Sequence, residues 1–226
     1  MMSVRLKSRL QPRVWTIALL CLLTPAMGCR SLPGLSRPME KPDNIYSAAP
    51  VLPETIRRVA VLPIASSSSD PSLLDGREKL GSTVLSELAK TGKFEPVLLE
   101  PNVCRARTGQ AAWTAEEWLP HHFFTAVQEA TGCDAVLFAQ LTVFKGHAPL
   151  AVGWRMKLVD VRTQTVLWAC DEVFDGGKEA VLEGAHRYQQ EHLHHVATDG
   201  RWAMRNSPQL FGQFTVAQLL ETLPQR

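Results

Sequence analysis

Histidine, serine and cysteine are the residues of this chain whose chemistry could stand out. His186, His192, His194 and His195 fall in one predicted helix, and His121-His122 open another. A helix brings side chains together only at i,i+3 or i,i+4 spacing, which leaves His192 with His195 as a metal pair. No H-E-x-x-H frame surrounds it, because Glu191 precedes the pair instead of lying inside it. A solvated polar helix face is the stronger reading, and a metal-assisted hydrolase using His192 and His195 the weaker one. The serine run Ser66 to Ser69 has no G-x-S-x-G framing, and Asp70 and Asp75 would repel an anion at the helix that follows. No Walker A or dinucleotide fingerprint is present, so no cofactor is expected. Asp171-Glu172 and Asp175 close a strand, where carboxylates are normally solvated, while Trp154 and Trp168 read as core or sheet-face anchors. With no catalytic constellation in view, binding or assembly is expected ahead of catalysis.

Cysteine is the exception. Of five cysteines, Cys21 and Cys29 lie near the start, while Cys104, Cys133 and Cys170 follow. The last three make an odd number, so at least one thiol is unpaired within the chain, and no C-x-x-C spacing suggests a metal. Cys133 and Cys170 sit in or beside apolar strands and read as small buried hydrophobes. Cys29 is different. Arg5, Lys7, Arg9 and Arg13 form a positive leader without acids, and Val14 to Leu23 is an apolar run too short to span a bilayer core. Ala26-Met27-Gly28 then satisfies the small-x-small rule for cleavage between Gly28 and Cys29. The same residues resemble a lipobox, with Ala26 where Leu is usual, and the resemblance implies a lipid attached to Cys29. Leu20 makes Cys21 a poorer site. Arg30 stands where an inner-membrane retention signal would have Asp, which favours the outer membrane.

The chain counts 24 basic and 22 acidic residues, and the leader holds four of the basic ones and no acidic one. The remainder is therefore 20 minus 22, a formal charge of −2. The basic balance belongs to the targeting segment, and nothing in the composition supports a nucleic-acid partner.

Three segments follow: a signal peptide over 1–28, a lipid-anchored tether over 29–55, and one periplasmic domain over 56–226. Pro33, Pro38, Pro42, Pro50 and Pro53 keep the tether extended. In the domain, Val59 to Ile64 predicts a buried strand, and Asp70-Pro71 starts a helix carrying Leu73, Leu80, Val84 and Leu88 as far as Gly92. Phe94 to Leu99 predicts a strand that Pro96 places at an edge. Cys104 to Ala112 reads as irregular, and Thr114 with Glu117 predicts a capping box opening a helix around Trp118. A helix from Pro120 ends at Gly132. Ala135 to Phe144, Leu150 to Val161 and Thr165 to Phe174 predict an antiparallel meander. Helices over 178–196 and from Ser207-Pro208 close the chain. The fold class is α/β (α+β), with helices packed on a mixed sheet of about five strands.

Four blocks together resemble one family. Val59-Ala60-Val61-Leu62-Pro63-Ile64 is similar to the opening strand of the curli-secretion lipoprotein family, and Leu85 to Leu99 (LSELAKTGKFEPVLL) to its next helix and strand. Thr131-Gly132-Cys133-Asp134-Ala135-Val136-Leu137 resembles the block that introduces its third strand. Leu158 to Thr163 with Val166-Leu167-Trp168 resembles its hairpin, with Gln164 in place of the usual glycine. The amino-terminal domain of TolB and the lipoprotein activators of penicillin-binding proteins are related. The resemblance implies a non-enzymatic envelope-assembly role through protein contacts, with room for self-association. It implies a secretion-channel subunit only weakly, since the Phe144 to Leu150 link is too short for the long pore hairpins of such channels.

Overall fold

In the computed structural model of the chain, residues 41–66, 70–193 and 200–226 are described. The run at 59–62 lacks alternation because both of its faces are buried. Val59 and Val61 turn to one core, Ala60 and Leu62 to the other. The run forms β2 (Arg58–Val61), parallel to β3 (Glu95–Leu98) on one side and β4 (Ala135–Lys145) on the other. From β4 the chain turns back through β5 (Ala151–Asp160) and β6 (Val166–Asp175) as the expected antiparallel meander. Pro96 does lie in an edge strand.

The sheet has six strands rather than about five, in the order β1-β6-β5-β4-β2-β3. The additional one, β1 (Ile45–Ser47), comes from the stretch assigned to the tether and pairs antiparallel with β6. Leu52 and Ile56 are buried as well, so the chain joins the domain before residue 55. Between Pro42 and Pro50 seven residues can donate N–H groups, enough for a short edge strand bonded on one side only.

Helices cover one face fully. They are α1 (Pro71–Leu80), α2 (Thr83–Lys90), α5 (Glu179–His192), α6 (Gly200–Asn206) and α7 (Pro208–Leu220). Asp70 caps α1 by accepting the Ser72 N–H at 2.8 Å, and the hydrogen bonds from Ser72 hold its carboxyl below the usual range. Leu137, Leu141, Trp154, Met156 and Trp168 meet Phe211 and Phe214 in this larger core. The two indoles donate to Thr215 Oγ1 at 2.9 Å and Thr222 Oγ1 at 3.0 Å.

The opposite face is covered only in part, by α3 (Pro101–Thr108) and α4 (Phe123–Thr131) over Val136, Phe138 and Val159. Two expectations fail here. Residues 101–108 are helical, not irregular: Pro101 opens α3, Gly109 ends it at φ 95°, and only Cys104 and Thr108 face inward, too few to leave a periodic signal. Around Trp118 there are bends and no helix. Thr114 is buried, and Pro120 biases Leu119 away from helical geometry. Gly132 ends α4 at φ 66°, as expected.

Candidate interaction face

The loop from Gly109 to His122 is fixed at three points. The Trp113 ring lies edge-on to Phe123 with centroids 5.5 Å apart, and its N–H donates to Thr108 Oγ1 at 2.7 Å. The Ala115 carbonyl accepts a hydrogen bond from Lys157 Nζ, reaching up from β5. Glu116 pairs with Arg155 at 2.6 Å, and Arg155 also holds Asp171 of β6 at 2.6 Å. Hydrogen bonding to Asp171, with Glu116 beside it, pushes the Arg155 pKa upward, so the link stays charged. Two residues beyond Glu116, Trp118 is 98% exposed.

Between this loop and β1 runs a groove of about 260 Å³, lined by Asn44, Tyr46, Glu116, Arg155, Lys157 and Ala169 among others. Its floor is formed by Arg155 to Lys157 of β5 and Ala169 to Asp171 of β6. An antiparallel sheet with one solvated face ordinarily turns polar side chains to water. Here the register sets Val143, Gly153 and Val173 side by side, with Val143 36% and Val173 46% exposed, and Tyr46 is 54% exposed at the rim. On this same side of the sheet, beside Arg155 and Gly153, Gln140 Oε1 and Thr142 Oγ1 are buried without a protein hydrogen-bond partner.

A second cluster joins helices. Glu87, nearly fully buried, accepts the Tyr188 O–H at 3.0 Å and Lys90 Nζ at 2.6 Å, beside a cavity of about 360 Å³ that His192, Lys93 and Glu221 also line. Burial, with Glu87 beside it, pushes the Tyr188 phenol up, and burial does the same to the Glu221 carboxyl. Burial lowers the Lys93 amine, which donates to the carbonyls of Leu223 and Pro224. Every partner of Glu87 is a side chain of this chain, so the cluster fastens α5 to α2.

The residues singled out from sequence fall as follows. Gly28 and Cys29 lie outside the described residues, as do Ser67 to Ser69, His194 and His195. His192 stacks on Tyr188 at 4.8 Å, with Nδ1 3.1 Å from the Tyr188 carbonyl oxygen. His186 bonds Gln190 at 3.1 Å, and His121 and His122 are exposed where α4 begins. Among the described residues no three His, Cys, Asp or Glu side chains converge as metal ligands. Cys104, Cys133 and Cys170 are buried and unpaired, and burial raises all three thiols, Cys170 to about 12. Asp134 receives the N–H groups of Arg57 and Arg58, both at 2.9 Å, which ties β4 to the start of β2. Asp160 folds the β5–β6 turn by accepting from Arg162 and Thr163, with Gln164 at φ 57° in the left-handed region. Among the described residues no helix is long and apolar enough to cross a membrane.

The sequence reading passed over Trp118, Tyr46, Arg155, Val143 and Val173. Alternation in β5 and β6 did show which residues leave the main core. What it lacked was any sign that the helices on the second face stop short.

No protein-family model and no curated protein sequence matches the chain. Solved structures do. The PelC dodecamer from Paraburkholderia phytofirmans is 14% identical with a TM-score of 0.45, covering 80% of this chain and 96% of that one. Lipoprotein GNA1162 from Neisseria meningitidis is 17% identical at 0.40, covering 52% and 81%. The LpoB C-terminal domain from Escherichia coli is 17% identical at 0.36, covering 52% and 81%. At these identities and TM-scores the likeness carries no function across.

Proposed function

We propose that this chain is a lipid-anchored accessory protein of the bacterial cell envelope that binds another envelope protein and performs no catalysis. The leader, the small residues before Cys29 and the proline-rich stretch after it support export and acylation at the periplasmic face of a membrane. Arg30 favours the outer membrane. One observation carries the binding role: on the sheet face turned away from the main core, Val143 and Val173 are 36% and 46% exposed on either side of Gly153, and Tyr46 is 54% exposed on the edge strand. Exposed apolar side chains grouped on a sheet face and rimmed by charged groups mark a place where something else packs. The Arg155–Asp171 and Arg155–Glu116 pairs cross it; one guanidinium against two carboxylates leaves a single net negative charge, which a partner with a basic group would complement.

The test is a photo-crosslinking residue placed at Val173 in the intact protein in its own envelope, with Glu129 on the exposed side of α4 as control. A discrete crosslinked species is expected from position 173, absent from position 129 and lost when Val143→Lys is added. A product of twice the chain's mass would name a second copy as the occupant. Identical products from both positions, or none from 173, would refute the binding face.

A further inference from the structure

We propose that Trp118 is a second membrane contact, an indole held ready to enter the lipid headgroup region while the acylated Cys29 holds the chain to the same bilayer. The proposal rests on the anchoring reading above and goes beyond it, because it gives the domain an orientation on the membrane.

Three observations converge. The first is isolation. Trp118 is 98% exposed, and its neighbours are Glu116, bound to Arg155, the exposed Glu117, and the half-buried Leu119 and Pro120. A tryptophan that anchors a protein interface sits at the centre of a packed patch ringed by near-neutral contacts. Trp118 has no such surround. The headgroup region needs none, since it accommodates an apolar ring and a hydrogen-bonding N–H together.

Rigidity is the second. Trp113 on Phe123, Lys157 on the Ala115 carbonyl and Arg155 on Glu116 fix the stretch that leads into Trp118. Inserting a side chain from a loop already fixed loses little conformational entropy.

The third is where the chain meets the domain. Asn44 and Tyr46 line the same groove as Ala115 and Glu116, so the path from the anchor reaches the sheet beside the Trp118 loop. Residues 30–40 separate Cys29 from the first described residue, Lys41. Fully extended they span at most roughly 40 Å, so this end of the domain stays within reach of the bilayer. Two acyl-type signals already suffice for stable anchoring, so the effect of Trp118 is on orientation and not on retention.

Fluorescence quenching by brominated phosphatidylcholine in vesicles tests the proposal on the whole mature chain. After Cys29 the chain has five tryptophans, of which Trp113, Trp154 and Trp168 are buried; only Trp118 and Trp202, 65% exposed, can meet a lipid quencher. The acylated protein should lose emission on vesicles brominated near the headgroup, to an equal degree in Trp202→Phe, and not in Trp118→Phe. The Cys29→Ser protein, held to nickel-chelating lipid by an amino-terminal histidine tag, should give the same pattern. If fatty acid never labels Cys29 and the chelated protein still shows Trp118 quenching, the anchoring reading fails and the contact stands. Absence of quenching in both anchored forms overturns the contact. So does quenching that follows Trp202, or loss of a protein crosslink in Trp118→Ala without lipid quenching.

Discussion

Arg155→Gln cuts the ion pairs that tie the Trp118 loop to the sheet, and its effect can be sized from the geometry. The side chains are 31% exposed for Arg155, 60% for Glu116 and 37% for Asp171, with N–O distances of 2.6 Å in both pairs. Ion pairs this exposed contribute roughly 0.2–1 kcal/mol each. Only the Glu116 pair breaks when the loop opens, because Arg155 and Asp171 both belong to the sheet. The substitution should therefore lower the loop's opening free energy by about 0.2–1 kcal/mol, a rise of about 1.4- to fivefold in the open population. Trp113 and the Lys157–Ala115 bond remain, which keeps the effect within that range. Native-state hydrogen exchange followed by mass spectrometry reads it directly. Peptides covering 110–119 should exchange about 1.4 to five times faster, while those covering β4 stay unchanged. In 1 M salt the difference should shrink, since screening weakens the wild-type pair. Unchanged exchange at 110–119, or a change spread evenly over the sheet, would refute the claim that this pair pins the loop.

Other consequences of the packing are measurable by denaturant unfolding. Gln164 sits at φ 57°, where an L residue costs about 1–2 kcal/mol and glycine almost nothing. Part of that gain is offset by the greater freedom of glycine in the unfolded chain, so Gln164→Gly should stabilise by up to about 1 kcal/mol, and a lower urea midpoint would count against the turn geometry. Tyr188→Phe removes a hydrogen bond to the nearly buried Glu87 carboxylate and should cost about 1.5–3 kcal/mol; a loss under about 0.5 kcal/mol would mean that α5 is not fastened there. Burial raises Cys170 from 9.0 to about 12, and Tyr188, Cys104 and Cys133 shift in the same direction. The folded form keeps protons that the unfolded chain releases, so this stability is complete below pH 9 and declines from there toward pH 12. Cys170→Ala should flatten the decline. Stability that stays level from pH 8 to 11 would contradict it.

Sequence patterns located the elements whose two faces differ and missed those that depend on tertiary closure. The meander showed itself because β5 alternates Val152, Trp154, Met156 and Leu158 with residues of the other face. Gly132 and Asp70-Pro71 marked helix ends through backbone demands that few other residues meet. In contrast, α3 buries only Cys104 and Thr108, so its pattern was too faint to read. The strand β1 has three residues and owes its place to pairing with β6, which no local propensity announces. The Glu116-Glu117-Trp118 stretch looked like a helix start, yet Thr114 is buried and Glu116 reaches Arg155 on a strand remote in sequence. The interaction face was hidden for the same reason. Its residues follow from the sheet register, but their exposure follows from where α3 and α4 end.

The central claim is that the domain hangs from a membrane by lipid on Cys29. Growing cells with a clickable fatty acid, then isolating wild type and Cys29→Ser, measures that directly. The account predicts label in the wild type and none in Cys29→Ser; equal label in both, or none in either, would contradict it.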